Sequence, residues 1–261
     1  MSMVTFLLLG LLAHTIADFL LQTDTIVETK NSLSPKGFLV HGSRVAILSV
    51  IGLHIYGVRG LIATLMITVT HVFIDLGKCY LDRNAGSSQR LLVFVVDQVL
   101  HLLSFLAVFE IVEPSFSQSV LNFYGRWLFP KARSVMSSLL AKTGLSLDRF
   151  LLVALGYVIV MPVGAVIVRM VLDAFNKELD RDSSTQAGRY IGMAERALML
   201  TLVLADALTA VAFVITAKSL ARFEKLTTDK AFGEYYLVGT LASTLLAIAV
   251  GLTIRGLVRV I

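Results

Sequence analysis

His14 and Asp18 stand four residues apart in "AHTIADFLLQTD", inside an apolar run. "THVFIDLGK" repeats the spacing with His71 and Asp75, and "VDQVLHLL" inverts it, with Asp97 ahead of His101. An i, i+4 separation puts both side chains of a pair on one helix face. Imidazole and carboxylate together suit a divalent metal such as zinc, and metal-bound imidazoles commonly lean on a carboxylate. A carboxylate near the middle of a membrane helix costs roughly 2.5–3.5 kcal/mol on insertion scales. Three of them therefore call for a counter-charge, a proton or water, and a dication supplies the first.

The elements that carry these pairs are membrane helices by composition. Of 261 residues, 56% are hydrophobic and 16% charged, with a mean hydropathy of +0.81. No soluble core of this size hides so much apolar surface, and apolar runs of about 18 or more residues mark spanning helices. The alternating short strands of a membrane barrel are not visible. The expectation is an all-α, polytopic transmembrane bundle of about seven spans. They fall near residues 3–22, 37–57, 60–81, 90–112, 149–173, 191–218 and 234–258. The first four form a part over residues 1–112 that carries the His/Asp constellation, and the last three a part over 149–261. Between them, residues 113–148 hold Trp127 beside Arg126, Lys131 and Arg133, the composition of an interfacial amphipathic segment. "NKELDRDSSTQAGRY" reads as a polar surface loop. The N-terminal run lacks a basic n-region and is expected to stay as a helix. A single cysteine, Cys79, forms no internal disulfide.

Chain direction explains the inverted motif. The first and third spans run the same way; the second and fourth run back. At 1.5 Å per residue, Asp18 lies about 6 Å and His14 about 12 Å from one side. Asp75 and His71 lie about 9 and 15 Å from that side, and Asp97 and His101, on the antiparallel helix, about 10 and 16 Å. Every pair thus has its Asp shallower and its His deeper, and His41 enters from the same side. The candidate metal ligands are His14, His41, His71, His101, Asp18, Asp75 and Asp97, with the three aspartates dividing ligand, supporting and general-base roles. The same residues could instead tie helices together by hydrogen bonds of about 1 kcal/mol or less. His54, near the other end of the second span, reads as an interfacial residue. Asp206 reads as deep in the sixth span, Glu195 and Arg196 as a local acid–base doublet, and Lys218, Arg222 and Lys225 as a headgroup contact.

"LLAHTIADFLLQTD", "LVHG", "THVFIDLGK" and "FVVDQVLHLL" resemble an uncharacterised bacterial integral-membrane family, domain of unknown function 3307, over roughly residues 5–110. "GMAERALMLTLVLADAL" through "EYYLVGTLAST" resembles the C-terminal region of its longer members. The resemblance implies residence in the bacterial inner membrane and no established activity. A looser likeness is to predicted membrane-bound metal-dependent hydrolases. The alkaline ceramidases and adiponectin-receptor relatives, which hold zinc with intramembrane His and Asp, are a chemical analogy, since here the cluster lies in the first four helices.

The leading expectation is a metal-dependent hydrolase with one bound divalent metal, zinc first, acting on a lipid or lipid-linked ester, amide or phosphoester. No HExxH or GxSxG sequence is present. The alternatives are a metal-ion or proton transporter using the ladder as stepping sites, and a non-enzymatic membrane partner. The net charge of +5 sits at the ends of apolar runs, where it meets membrane lipids and not nucleic acid. Lys30, Lys36, Arg44, Lys78, Arg83 and Arg90 flank the motif side and only Arg59 the short opposite loop, which puts the site in the cytoplasmic leaflet. With seven spans, Lys218, Arg222, Lys225 and Lys230 then fall on the wrong side, unless residues 113–148 contain a further crossing.

Overall fold

The computed structural model describes residues 2–128, 146–175 and 186–259. Among these there is helix and turn but no strand. The chain forms two compact units, Met1–Asn84 with Val93–Leu155 and Ala85–Leu92 with Gly156–Ile261.

In the first unit, α1 (Ser2–Phe19) ends in a turn, and α2 (Asp24–Asn31) leaves at 88°. Arg44 donates to the Leu21 carbonyl in that turn, satisfying one acceptor that the helix end leaves open. α3 (Pro35–Leu53) starts with proline at its first position, where the missing N–H has no intrahelical partner to lose. A Cβ at Gly37 would come within 2.8–2.9 Å of Thr29 and the Lys30 backbone. The glycine therefore lets α2 press onto α3, and this contact carries Lys30 inside, where it is 5% exposed.

A short 3-10 turn (His54–Tyr56) and Gly57, at φ 62°, reverse the chain into α4 (Val58–Asp82). As one rod, the 48 residues of the Pro35–Asp82 stretch would reach about 72 Å, more than twice a hydrocarbon core of about 30 Å. They form a hairpin instead, in which the His41 and His71 Nε2 atoms meet at 3.0 Å. α5 (Ser87–Val112) runs back along α4, with Lys78 donating to Asp97 at 2.9 Å. α6 (Gln118–Phe123) and a π-turn (Tyr124–Leu128) follow, tied to the hairpin by a Ser117 N–H bond to the Ile55 carbonyl (2.9 Å). Of the expected interfacial segment, residues 129–145 lie outside the described residues; Trp127 is 72% exposed at its start. α7 (Leu147–Val158) begins beside the start of α1, where the Thr5 hydroxyl donates to a buried Asp148 carboxylate at 2.5 Å.

This unit is built in two layers. Phe6, Leu53, Tyr56, Ala63, Ile67, Phe105 and Val108 form a dry core in one half, and the His/Asp pairs fill the other. The outward faces are apolar: Leu39, Ile47, Leu65 and Phe73 are each at least 60% exposed. Polar side chains inside and large apolar ones outside suit lipid as the solvent. Among the described residues, four helical stretches are long and apolar enough to cross a membrane: Pro35–Asp82, Gln89–Val112, Leu147–Phe175 and Lys230–Val258. A fifth is added if the bent α1–α2 pair counts as one.

In the second unit, α7 passes through a π-turn (Ile159–Val163) around Pro162 into α8 (Gly164–Phe175). The loop expected next lies largely outside the described residues. α9 (Gln186–Leu204) breaks at Ala205–Ala207, where Asp206 is left-handed at φ 61°. α10 (Leu208–Leu220) then doubles back on α9: Lys218 donates to Glu195 at 2.5 Å, and Val211 packs with Val203 and Met199. The sixth expected span is therefore a helical hairpin and not one crossing. Periodicity does not register the reversal, because both arms are apolar. α11 (Phe223–Thr228) leads to α12 (Lys230–Val258), capped by Asp229, whose side chain accepts from the Phe232 N–H at 3.0 Å.

Candidate metal centre

Four helices bring the sequence motifs together. α1 supplies His14 and Asp18, α3 His41, α4 His71 and Asp75, and α5 Asp97 and His101. All but Asp18 are at most 2% exposed. The four imidazoles form one chain of ring contacts: His14 stacks on His101 at 4.5 Å between ring centres, His71 meets His101 tilted at 4.4 Å, and His41 meets His71 tilted at 5.1 Å.

The four-membered cluster among the described residues is Asp18, His41, His71 and Asp75. His41 Nε2 lies 3.2 Å from Asp18 Oδ1 and 3.3 Å from Asp75 Oδ2. His71 Nε2 lies 3.5 and 3.4 Å from the same two oxygens, and 3.0 Å from His41 Nε2. Donors at about 2.0–2.1 Å from one tetrahedral metal stand about 3.3–3.4 Å apart. Five edges of this tetrad, 3.0–3.5 Å long, match that spacing. Two imidazole nitrogens and two carboxylate oxygens are also a donor set that divalent metals accept. The residues present therefore fit a metal ion.

Residues 5–129 match the family model described as a protein of unknown function, DUF3307. The likeness read from the His/Asp motifs holds, and all seven candidate ligands lie inside the matched stretch. No curated protein and no solved structure matches the chain.

Two residues of the DUF3307 stretch enter the centre without having been singled out for it. Lys30 Nζ bonds Asp75 Oδ2, and Lys78 Nζ bonds Asp97 Oδ2, which also accepts from the Gln98 amide at 2.9 Å. Lys78 had a local signal, since His71, Asp75 and Lys78 fall at i, i+4 and i+7 on one helical face. Lys30 had none: only the bend after α1 and the contact at Gly37 carry it to Asp75. Three carboxylates against two ammonium groups leave one negative charge when the imidazoles are neutral. Several buried polar atoms make no hydrogen bond: both ring nitrogens of His14 (Nδ1 3.7 Å from Asp18 Oδ2), His41 Nδ1, His101 Nε2, Asp18 Oδ1 (3.2 Å from His41 Nε2) and Asp97 Oδ1 (3.5 Å from His101 Nδ1). A buried polar atom without a hydrogen bond costs about 1–3 kcal/mol, so this end of the unit is costly as it stands, and a bound cation would offset that cost.

The remaining sequence candidates go elsewhere. His54 lies at the opposite end of the α3–α4 hairpin, with Nδ1 near the Ile51 carbonyl (2.7 Å) and Nε2 near the Tyr124 hydroxyl (2.6 Å). Asp206 is not deep in a span: its side chain is 72% exposed at the α9–α10 turn and pairs with Arg255 at 2.5 Å. The expected local pairing of Glu195 with Arg196 gives way to two separate ones. Glu195 takes Lys218. Arg196, 3% exposed, donates to the Val160 and Met161 carbonyls at 2.5 and 3.0 Å, beside the π-turn that Pro162 interrupts.

Proposed function

We propose that this chain is an integral membrane, metal-dependent hydrolase acting on a lipid or lipid-linked substrate. The observation that carries the reading is the Asp18–His41–His71–Asp75 tetrad, buried among apolar helices with donor spacings of 3.0–3.5 Å. Two imidazoles and two carboxylates at tetrahedral spacing suit zinc. A zinc ion held by His41, His71 and Asp75 would keep a fourth position for water and supply Lewis-acid activation for attack on an ester, amide or phosphoester. Asp18 is the most accessible of the three carboxylates, its side chain 9% exposed against 3% and 2% for Asp75 and Asp97. It is the residue placed to accept a proton. Lys30 and Lys78 hold the other two carboxylates in place.

The lipid part of the reading rests on an apolar groove. A cavity of about 580 Å³ opens between α3 and α4, lined by Phe38, Leu39, Gly42, Ala46, Thr68 and Val72 among others. Gly42 and Val72 are the chain neighbours of His41 and His71. The volume is within the range of small-molecule sites, roughly 300–1,000 Å³, and its lining suits an acyl chain. Against a transporter stands the dry core from Phe6 to Val108 in the other half of the unit, which leaves the polar groups a way in from one side only.

Our reading of the topology is six crossings, with a re-entrant hairpin in place of the sixth expected span. Because α10 doubles back, Lys218, Arg222, Lys225 and Lys230 return to the end of the second unit from which α9 starts, beside Arg189. Taken unit by unit, the basic end is the cytoplasmic one. The site then lies in the cytoplasmic leaflet of the bacterial inner membrane. Cysteines placed at Ser32 and Ser87, with Cys79 replaced, should resist an impermeant thiol reagent in intact cells; labelling of both would reverse the orientation.

The deciding experiment is turnover. Purified protein in lipid nanodiscs, loaded with zinc, is incubated with extracted bacterial lipids, and the products are followed by mass spectrometry. Hydrolysis that a chelator stops and zinc restores is expected. Zinc-loaded protein that cleaves no lipid class would sink the hydrolase reading.

A further inference from the structure

The tetrad leaves part of the centre unused. Both ring nitrogens of His14, Nε2 of His101 and Oδ1 of Asp97 have no hydrogen-bond partner, in residues that are 1–2% exposed. His101 Nδ1 donates to the Asp97 backbone carbonyl at 2.9 Å, so Nε2 carries the lone pair. A ring N–H given to a carbonyl is the usual backing of a metal-bound histidine. Lys78 and Gln98 both bond Asp97 Oδ2, while Oδ1, 3.5 Å from His101 Nδ1, accepts no hydrogen bond.

These donors also cluster. Donor atoms of Asp75, Asp97 and His101 lie within 4.8 Å of one another, and so do those of His14, His71 and His101. Asp75 thus belongs to two groups, the tetrad on one side and Asp97 with His101 on the other. A carboxylate shared in this way is the common bridge of two-metal sites, whose ions stand about 3.5–4 Å apart.

We propose that this end of the unit binds a second divalent cation, held by Asp97 and His101, with Asp75 bridging to the ion of the tetrad. The proposal rests on the tetrad's binding a metal and goes beyond it in number and in substrate class. With two dications the centre's single net negative charge becomes three positive ones. A centre of that charge in an apolar surround selects an anionic reacting group, and paired ions clamp the two oxygens of a phosphoester. The substrate class is then a lipid phosphoester, in preference to a neutral ester or amide.

Manganese is the probe, because it reports its neighbours by electron paramagnetic resonance. The full chain in detergent is stripped with chelator, dialysed against Mn²⁺, and assayed for bound metal. Two ions per chain with a spin-coupled signal are expected. His101→Ala should retain one ion and lose the coupling. Wild-type protein that binds no metal would overturn the metal reading altogether, and this proposal with it. One uncoupled ion in the wild type would overturn the second site alone. Two coupled ions retained in His101→Ala would overturn the assigned ligands. The wild-type stoichiometry decides even if the variant fails to fold.

Discussion

Both units bury charged side chains under apolar helices, but they finish them differently. In the second unit each charged residue that drew notice has partners within the protein: Glu195 with Lys218, Arg196 with two carbonyls, and Asp206 with Arg255. In the first unit the lysines reach only two of three carboxylates, and the imidazoles face one another with nitrogens that make no hydrogen bond. Closed polar groups secure a helix contact. Groups left open in a dry interior are held there at a cost that binding can relieve. A polar residue in a membrane helix is therefore a weak pointer to function until its partners are known.

That contrast can be broken at its strongest point by removing His71, which belongs to the tetrad and to the chain of histidine rings. His71→Ala should lower metal affinity by at least about 100-fold, above the 10–100-fold typical of a supporting residue. Elemental analysis after dialysis reads this directly; unchanged zinc content would erase the distinction. Binding should also stabilise the wild type by about 4 kcal/mol at a thousandfold excess over the dissociation constant.

Arg196→Met tests the closed unit. It strips charged donors from the Val160 and Met161 carbonyls and should cost about 2–4 kcal/mol of stability, with metal content unaltered. Thermal unfolding in detergent and elemental analysis separate the two; a loss of metal here would contradict the contrast. Lys30→Met straddles both behaviours. Without metal it should cost about 1.5–3 kcal/mol, the worth of a charged hydrogen bond. Zinc should recover that loss and bind more tightly than in the wild type, since the ammonium no longer repels it. Equal zinc affinity in calorimetry would mean that Lys30 does not compete for Asp75. The smallest effect belongs to Asp206→Asn. Its partnership with Arg255 is solvent-exposed on the Asp206 side, and such pairs contribute at most about 1 kcal/mol. A larger drop in melting would restore Asp206 to the interior role its sequence context suggested.

Much of the first unit was legible in its residues. The i, i+4 spacing and the direction of successive helices placed Asp18, Asp75 and Asp97 at one level and His14, His71 and His101 at the next. Those relations follow from helix rise and pitch, which local covalent geometry sets whatever the neighbours are. The entry of His41 from the same side followed from the short α3–α4 turn. What the periodicity could not carry was the choice of partners. Lys30 reaches Asp75 across 45 positions because α2 bends away from α1 and a missing side chain at Gly37 lets it settle. The hairpin at Asp206 and the turn of Arg196 towards the Pro162 π-segment depend likewise on how one helix packs on another. An apolar face says that a side chain will be buried; only the packed helices decide which donor meets which acceptor, and which are left facing an open position.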